Sequence, residues 1–171
     1  MTSLQWIYFP AKYAIEQHDK IILISGGVLG IKDLKQLESS LAFIGNDDYY
    51  PTVEDKITHL VHSVAMNHCF VDGNKRSSIV LAAYFLEING MSQLVPTFIL
   101  EMENIVLWTA NHFIDKDELK WFIAGILESG GLDEGRKLRL AEVLLDVEAN
   151  KPDIMNSSTS NLQFFYDHKD E

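Results

Sequence analysis

The segment from Gly73 to Gly90 constrains the fold of this chain more than any other. Ile79, Val80, Leu81, Ala82, Ala83, Tyr84, Phe85, Leu86 and Ile88 crowd into it with little polar interruption. Wound as a helix, these residues are apolar nearly all round. Such a helix has no face to give to water and belongs at the centre of a bundle. Asn89-Gly90 stops it, with Gly90 as a left-handed cap.

The rest of the chain reads as the helices around it. Apolar residues recur at helical spacing from about Pro10 to Ile22. They recur again at Leu34, Leu37, Leu41 and Ile44 behind an Asp33 N-cap. Thr52-Val53-Glu54-Asp55 is a capping box with Asp in the fourth place, and Ile57, Leu60, Val61, Val64 and Ala65 form one face up to Asn67. Further helices are expected from Thr97 to about His112, from Asp117 to Glu128 and from Leu132 to Ala149. Pro10, Pro51, Pro96 and Pro152 all fall between periodic segments, where proline is tolerated. Gly45 to Tyr50 is polar and aromatic without period, so it is a loop or a short hairpin. The expected class is all-α, a bundle with a buried central helix and at most a small β-hairpin flap.

The chain's 171 residues suit one domain with an appended tail. Its 25 acidic and 14 basic residues give a net charge of −11 and a pI of about 4.9. Such a surface repels nucleic acid and anionic lipid, because phosphate binding needs clustered Lys and Arg. An anion site in this chain must be a local exception. The single cysteine, Cys69, excludes an intrachain disulfide and fits a reducing compartment. The N-terminus lacks the basic start and apolar run of a signal peptide. No apolar stretch approaches the ~18 residues that span a bilayer. A cytoplasmic protein with no membrane or nucleic-acid partner is expected.

The local exception lies in His68-Cys69-Phe70-Val71-Asp72-Gly73-Asn74-Lys75-Arg76, the junction of two helices. His68 closes the first helix, so its imidazole projects from an end. Gly73 and Asn74 tolerate unusual backbone angles and open the central helix. The first amides of that helix lack intrahelical partners and carry the positive end of the dipole, which suits an anion. Lys75 and Arg76 add cations there, and Arg76 is the only arginine before residue 132. Its planar fork matches two phosphate oxygens. Asp72 beside a bound phosphate is unfavourable unless a divalent cation lies between them, and magnesium fits that requirement. A base, a metal carboxylate, an amide nest and two cations are the parts for moving a phosphate-containing group onto a hydroxyl. The bland alternative is a turn in which Asp72 caps a helix and Lys75-Arg76 is surface charge.

This stretch resembles the signature of the Fic/Doc (Fido) family, His-x-Phe-x-Asp-Gly-Asn-Gly/Lys-Arg. His68, Phe70, Asp72, Gly73, Asn74, Lys75 and Arg76 meet every fixed position, and Lys75 matches the death-on-curing branch. His18-Asp19, Gly26-Gly27-x-x-Gly30-Ile31-Lys32-Asp33, Leu37-Glu38-Ser39-x-Leu41 and Phe85-Leu86-x-x-Asn89-Gly90 extend the likeness over roughly Tyr13 to Leu127.

The resemblance implies a Fido-type helical fold for residues 1–131. It implies His68 as general base, Asp72 as the Mg²⁺ ligand and Phe70 as the loop's anchor. The amides of Gly73, Asn74 and Lys75, with Arg76, would cradle the phosphates of ATP. In this family Doc-type toxins phosphorylate a threonine of elongation factor Tu, while Fic proteins transfer AMP to protein hydroxyls. Lys75 favours the first chemistry, because its side chain crowds the place where glycine admits the α-phosphate. AMP transfer and a catalytically idle binding module are the alternatives. A separate antitoxin is the family's expectation.

Cys69 stands where many relatives have proline and reads as a small buried residue. Tyr49-Tyr50 is placed by the resemblance on the flap where the family docks target chains. His59 and His62 share a helix face and read as structural rather than metal-binding. Residues 132–171 exceed what Doc-like proteins need. They form either an extra layer on the bundle or, with Phe164-Phe165-Tyr166, a dimerising or occluding element.

Overall fold

A computed structural model describes residues 5–151. Among them are seven α-helices: α1 (Ala11–Ser25), α2 (Leu34–Phe43), α3 (Val53–Met66), α4 (Asn74–Ile88), α5 (Val95–Ala110), α6 (Lys116–Ser129) and α7 (Glu134–Ala149). A 3-10 turn, Ser92–Leu94, leads into α5. The described residues form no strand, only an isolated antiparallel bridge between Ile31 and Phe70. The chain has the all-α architecture expected of a Fido-type bundle.

The central helix is α4. Of its residues only Glu87 is exposed, and α3, α5 and α1 surround it. Leu81, Ala82, Phe85 and Leu86 have no accessible surface, nor have Ile57, Leu60, Val61 and Val64 on the facing side of α3. Each large aliphatic or aromatic side chain so buried contributes roughly 1.5–3 kcal/mol. Pro96 lies inside the first turn of α5 rather than ahead of it, because the missing amide hydrogen costs nothing there. None of the described helices is long and apolar enough to cross a membrane.

Four helices are opened by the side chain that precedes them. Asp33, Thr52, Asp115 and Asp133 accept hydrogen bonds from the amides of Gln36, Asp55, Glu118 and Arg136. At α3 the box is complete, since the Asp55 carboxylate accepts from the Thr52 amide. α7 lies against the bundle through buried Val143. Arg136 donates to the Trp121 carbonyl and Arg139 pairs with Glu118. The aromatic tail, Phe164-Phe165-Tyr166, lies outside the described residues.

The stretch from Gly45 to Tyr50 makes consecutive turns, so of the two expectations, loop or short hairpin, it is the loop that forms. Two causes are visible. The Asn46 side chain accepts from the Asp48 amide, which curls the chain locally. The fully buried Lys56 then donates to the Ile44 carbonyl at 2.7 Å and to Asp47 at 2.6 Å, holding the loop down on α3. Tyr50 packs against His59 with ring centres 4.4 Å apart and the rings tilted by 39°, while Tyr49 remains exposed.

Candidate active site

α3 ends at Met66, and His68 follows its Asn67 cap with φ of +50°. That left-handed turn sends the chain away from the helix and leaves the His68 side chain exposed. The chain then dives inward. Cys69 and Phe70 have no accessible surface. Burial pushes the Cys69 thiol up, and nearby Asp33 adds to the effect. That protonated, enclosed thiol is a packing group.

The loop from His68 to Gly73 is held from three directions. The α1–α2 connection grips its backbone: Lys32 and Asp33 donate to the Cys69 carbonyl at 2.8 and 3.0 Å, and Val71 donates to the Gly30 carbonyl at 3.0 Å. Asn74 grips it from α4, accepting from the Phe70 amide at 2.9 Å and donating to the Phe70 carbonyl at 3.0 Å. α1 grips it from below through His18, whose ring lies parallel to Phe70 with centres 3.9 Å apart.

Gly73 precedes α4 with φ of +72°. A Cβ there would sit 2.6 Å from the Ile22 side chain, so both angle and space require glycine. Unlike the four capped helices, α4 has no side chain accepting from its opening turn. Its first amides are left for something else. Asp72 stands beside them without capping them. One carboxylate oxygen accepts from the Gly73 amide at 2.6 Å, and the other accepts from the Val28 amide at 3.2 Å.

Arg76 lies one turn along, with its side chain about one-fifth exposed (19%). It donates to the Gly26 carbonyl at 2.8 Å and to the Ser25 hydroxyl, and it approaches Asp72 at 3.7 Å. Gly27 fits into the angle between them: a Cβ there would be 2.5 Å from Asp72 and 3.1 Å from Arg76. Lys75 makes no ion pair among the described residues. Burial lowers its pKa and Arg76 adds to that, while Asp72 works the other way.

The structure therefore brings the residues from Asp72 to Arg76 together at one helix end, with His68 at the other end of the same loop and Phe70 beneath it. Asp72 offers hard oxygen donors next to an amide nest, which is a donor set that suits Mg²⁺. Sequence reasoning assigned no role to His18, Ser25 or Gly27, nor to the Asn74 side chain. The upstream His18-Asp19 and Gly26-Gly27-x-x-Gly30-Ile31-Lys32-Asp33 stretches were the trace in the sequence of this second wall of the site, formed by α1 and the α1–α2 connection.

The Fic/DOC family model matches residues 8–86, a span that contains the whole wall and the whole signature. A protein named Toxin Doc, from Mycolicibacterium smegmatis, is 33% identical over 104 residues, covering 58% of this chain and 80% of the relative. The chain belongs to the Fic/DOC family, on its death-on-curing side.

Proposed function

We propose that this chain is a Doc-type transferase that moves the γ-phosphoryl group of ATP to a Ser or Thr hydroxyl of a protein. The observation that carries the reading is the uncapped start of α4. Unlike α2, α3, α6 and α7, it has no side chain capping its first amides, and Asp72, Lys75 and Arg76 stand at that same helix start. An anion with several oxygens satisfies the amides and both cations at once, and a divalent cation between it and Asp72 reconciles the carboxylate with that charge.

The roles follow from position. The amides of Gly73, Asn74 and Lys75 and the Arg76 guanidinium bind phosphate oxygens. Asp72 holds Mg²⁺, which when bound neutralises charge between the carboxylate and the phosphates. His68 stands exposed at the loop's start and takes the proton from the incoming hydroxyl. The hydroxyl oxygen bonds to the γ-phosphorus, the β–γ bridging bond breaks, and ADP leaves. Phe70 sets the loop's depth through its burial. A translation factor of the elongation factor Tu kind is the proposed target, and an antitoxin is the proposed controlling partner.

AMP transfer is the second reading, and Lys75, partly buried at the position where Fic proteins carry glycine, weighs against it. ATP labelled separately at the α and γ positions, incubated with the protein and a bacterial lysate, separates the two. Label from the γ position on a protein supports phosphoryl transfer, and label from the α position replaces it with AMP transfer. Neither label, with wild type matching His68→Asn, would falsify the transferase reading.

A further inference from the structure

His18 is fully buried, eight residues before the glycine pair of the second wall. A buried imidazole needs a partner at each nitrogen. Nε2 lies 2.9 Å from the carbonyl oxygen of Asp72, fifty-four residues away in sequence. A carbonyl only accepts, so Nε2 carries the hydrogen. Nδ1 lies 3.0 Å from the Asp19 carboxylate, which fixes the ring's rotation. Phe70 fixes its plane, since the two rings are tilted by only 2°. Held by Asp19 and Phe70, the ring presents its Nε2 hydrogen to the Asp72 oxygen.

That oxygen belongs to the peptide joining Asp72 to Gly73. In a trans peptide the C=O and N–H point in opposite directions. Holding the oxygen on the buried side therefore aims the Gly73 N–H outward, where it now donates to the Asp72 carboxylate at 2.6 Å. Glycine at φ of +72° is permissive, and no side chain caps α4. A flip of this peptide would replace an amide hydrogen with a carbonyl oxygen in the anion nest.

We propose that His18 is a positioning residue that holds the Asp72–Gly73 peptide with its N–H toward the phosphate site. This rests on the reading of that site as a nucleotide site. Two substitutions separate positioning from packing. His18→Gln keeps a donor where Nε2 stands, and His18→Leu keeps the bulk without one.

Two readouts are used: calorimetric binding of the Mg²⁺ complex of a non-hydrolysable ATP analogue, and hydrogen exchange of the Gly73 and Val71 amides. His18→Leu is expected to weaken binding about tenfold and to speed exchange at those amides about tenfold, the loss of one hydrogen bond to a buried acceptor, with amides in α5 unchanged. His18→Gln is expected to stay within about threefold of wild type in both.

Equal behaviour of the two variants, or a His18→Leu protein that matches wild type, overturns the proposal. Should His18→Leu not fold, Asp19→Ala replaces it: without a partner at Nδ1 a looser ring is expected to speed Gly73 exchange, and unchanged exchange overturns the proposal. If wild type binds no nucleotide, the functional reading falls, and exchange at Gly73 still decides the role of His18.

Discussion

The openings of α3 and α4 are built from similar residues and finished in opposite ways. At α3, Thr52 and Asp55 exchange hydrogen bonds and close the helix on itself. Lys120 of α6 adds an ion pair to Asp55 at 2.6 Å, so the acid, the hydroxyl and the Asp55 amide all have partners within the protein. At α4 a glycine takes the cap position, and the acid before it turns to the Val28 amide on another segment. The free amides and the cations beside them stay available. A closed cap serves stability, and an open one serves a ligand. The net charge of −11 makes the contrast sharper, because α4 gathers cations at its start while the surface as a whole is acidic.

The largest effect is expected at the open end. His68→Asn should lower transfer by about 10²–10⁴-fold, as loss of a general base does. Asparagine tolerates the left-handed backbone at this position, so the melting temperature should hardly move. Label incorporation and a thermal melt together check this. A large loss of stability would mean that His68 is a structural cap like Thr52.

Gly27→Ala comes next. Its Cβ would meet Asp72 at 2.5 Å, and φ of +128° is strained for any side chain. We expect a destabilisation of about 1–3 kcal/mol. Transfer should fall by at least about tenfold, since Asp72 and Arg76 must both shift. Unchanged kinetics would show that the α1–α2 connection only borders the site.

At the closed end, Thr52→Ala should cost about 1 kcal/mol with no change in transfer. In a chain of this size that lowers the melting temperature by roughly 2–4 °C. A drop in kcat without a drop in stability would erase the distinction between the two helix starts.

Acid gives the gentlest tests. Burial alone would raise the Asp55 pKa, but hydrogen bonds from Lys120 and Thr52 prevail and hold it below the usual 3.8. A folded value below the unfolded one stabilises above the carboxylate range and is lost as pH falls through the folded value. Denaturant midpoints should therefore fall in this acid range, and less steeply in Lys120→Gln. Burial, with Lys116 and His62 nearby, lowers His59 from 6.5 to about 4. The unfolded chain takes up that proton first, so stability should decline between those two values. His59→Phe, which keeps a ring packed against Tyr50, should flatten that part of the profile.

Both helix starts could be read in the sequence, because a cap uses neighbours a few residues apart. Thr52 and Asp55 announce themselves by spacing, and so does Asp33, while the caps at Asp115 and Asp133 emerged only with the structure. The partners of Asp72 and Arg76 could not be read. Ser25, Gly26 and Val28 lie more than forty residues away from them, and no local pattern reports such a pairing. Lys56 was equally opaque. A lysine on an apolar face looks like a solvated side chain until the Ile44 carbonyl and Asp47 are seen to receive it. The coil at Gly45–Tyr50 follows from that same lysine, which is why the sequence left a loop and a short hairpin both open there and the structure selects the loop.

By itself the sequence determined the all-helical class, the burial of α4, the caps at Asp33 and Thr52 and the junction from His68 to Arg76. All of these are set by periodicity and by contacts within a turn or two of chain. Only the tertiary structure decided what holds that junction in place. It brought α1 beneath the loop, put His18 on the Asp72 carbonyl and laid Gly27 between Asp72 and Arg76. Those contacts join segments about fifty residues apart, and they exist only because the apolar surfaces of α1 and α4 are buried against each other.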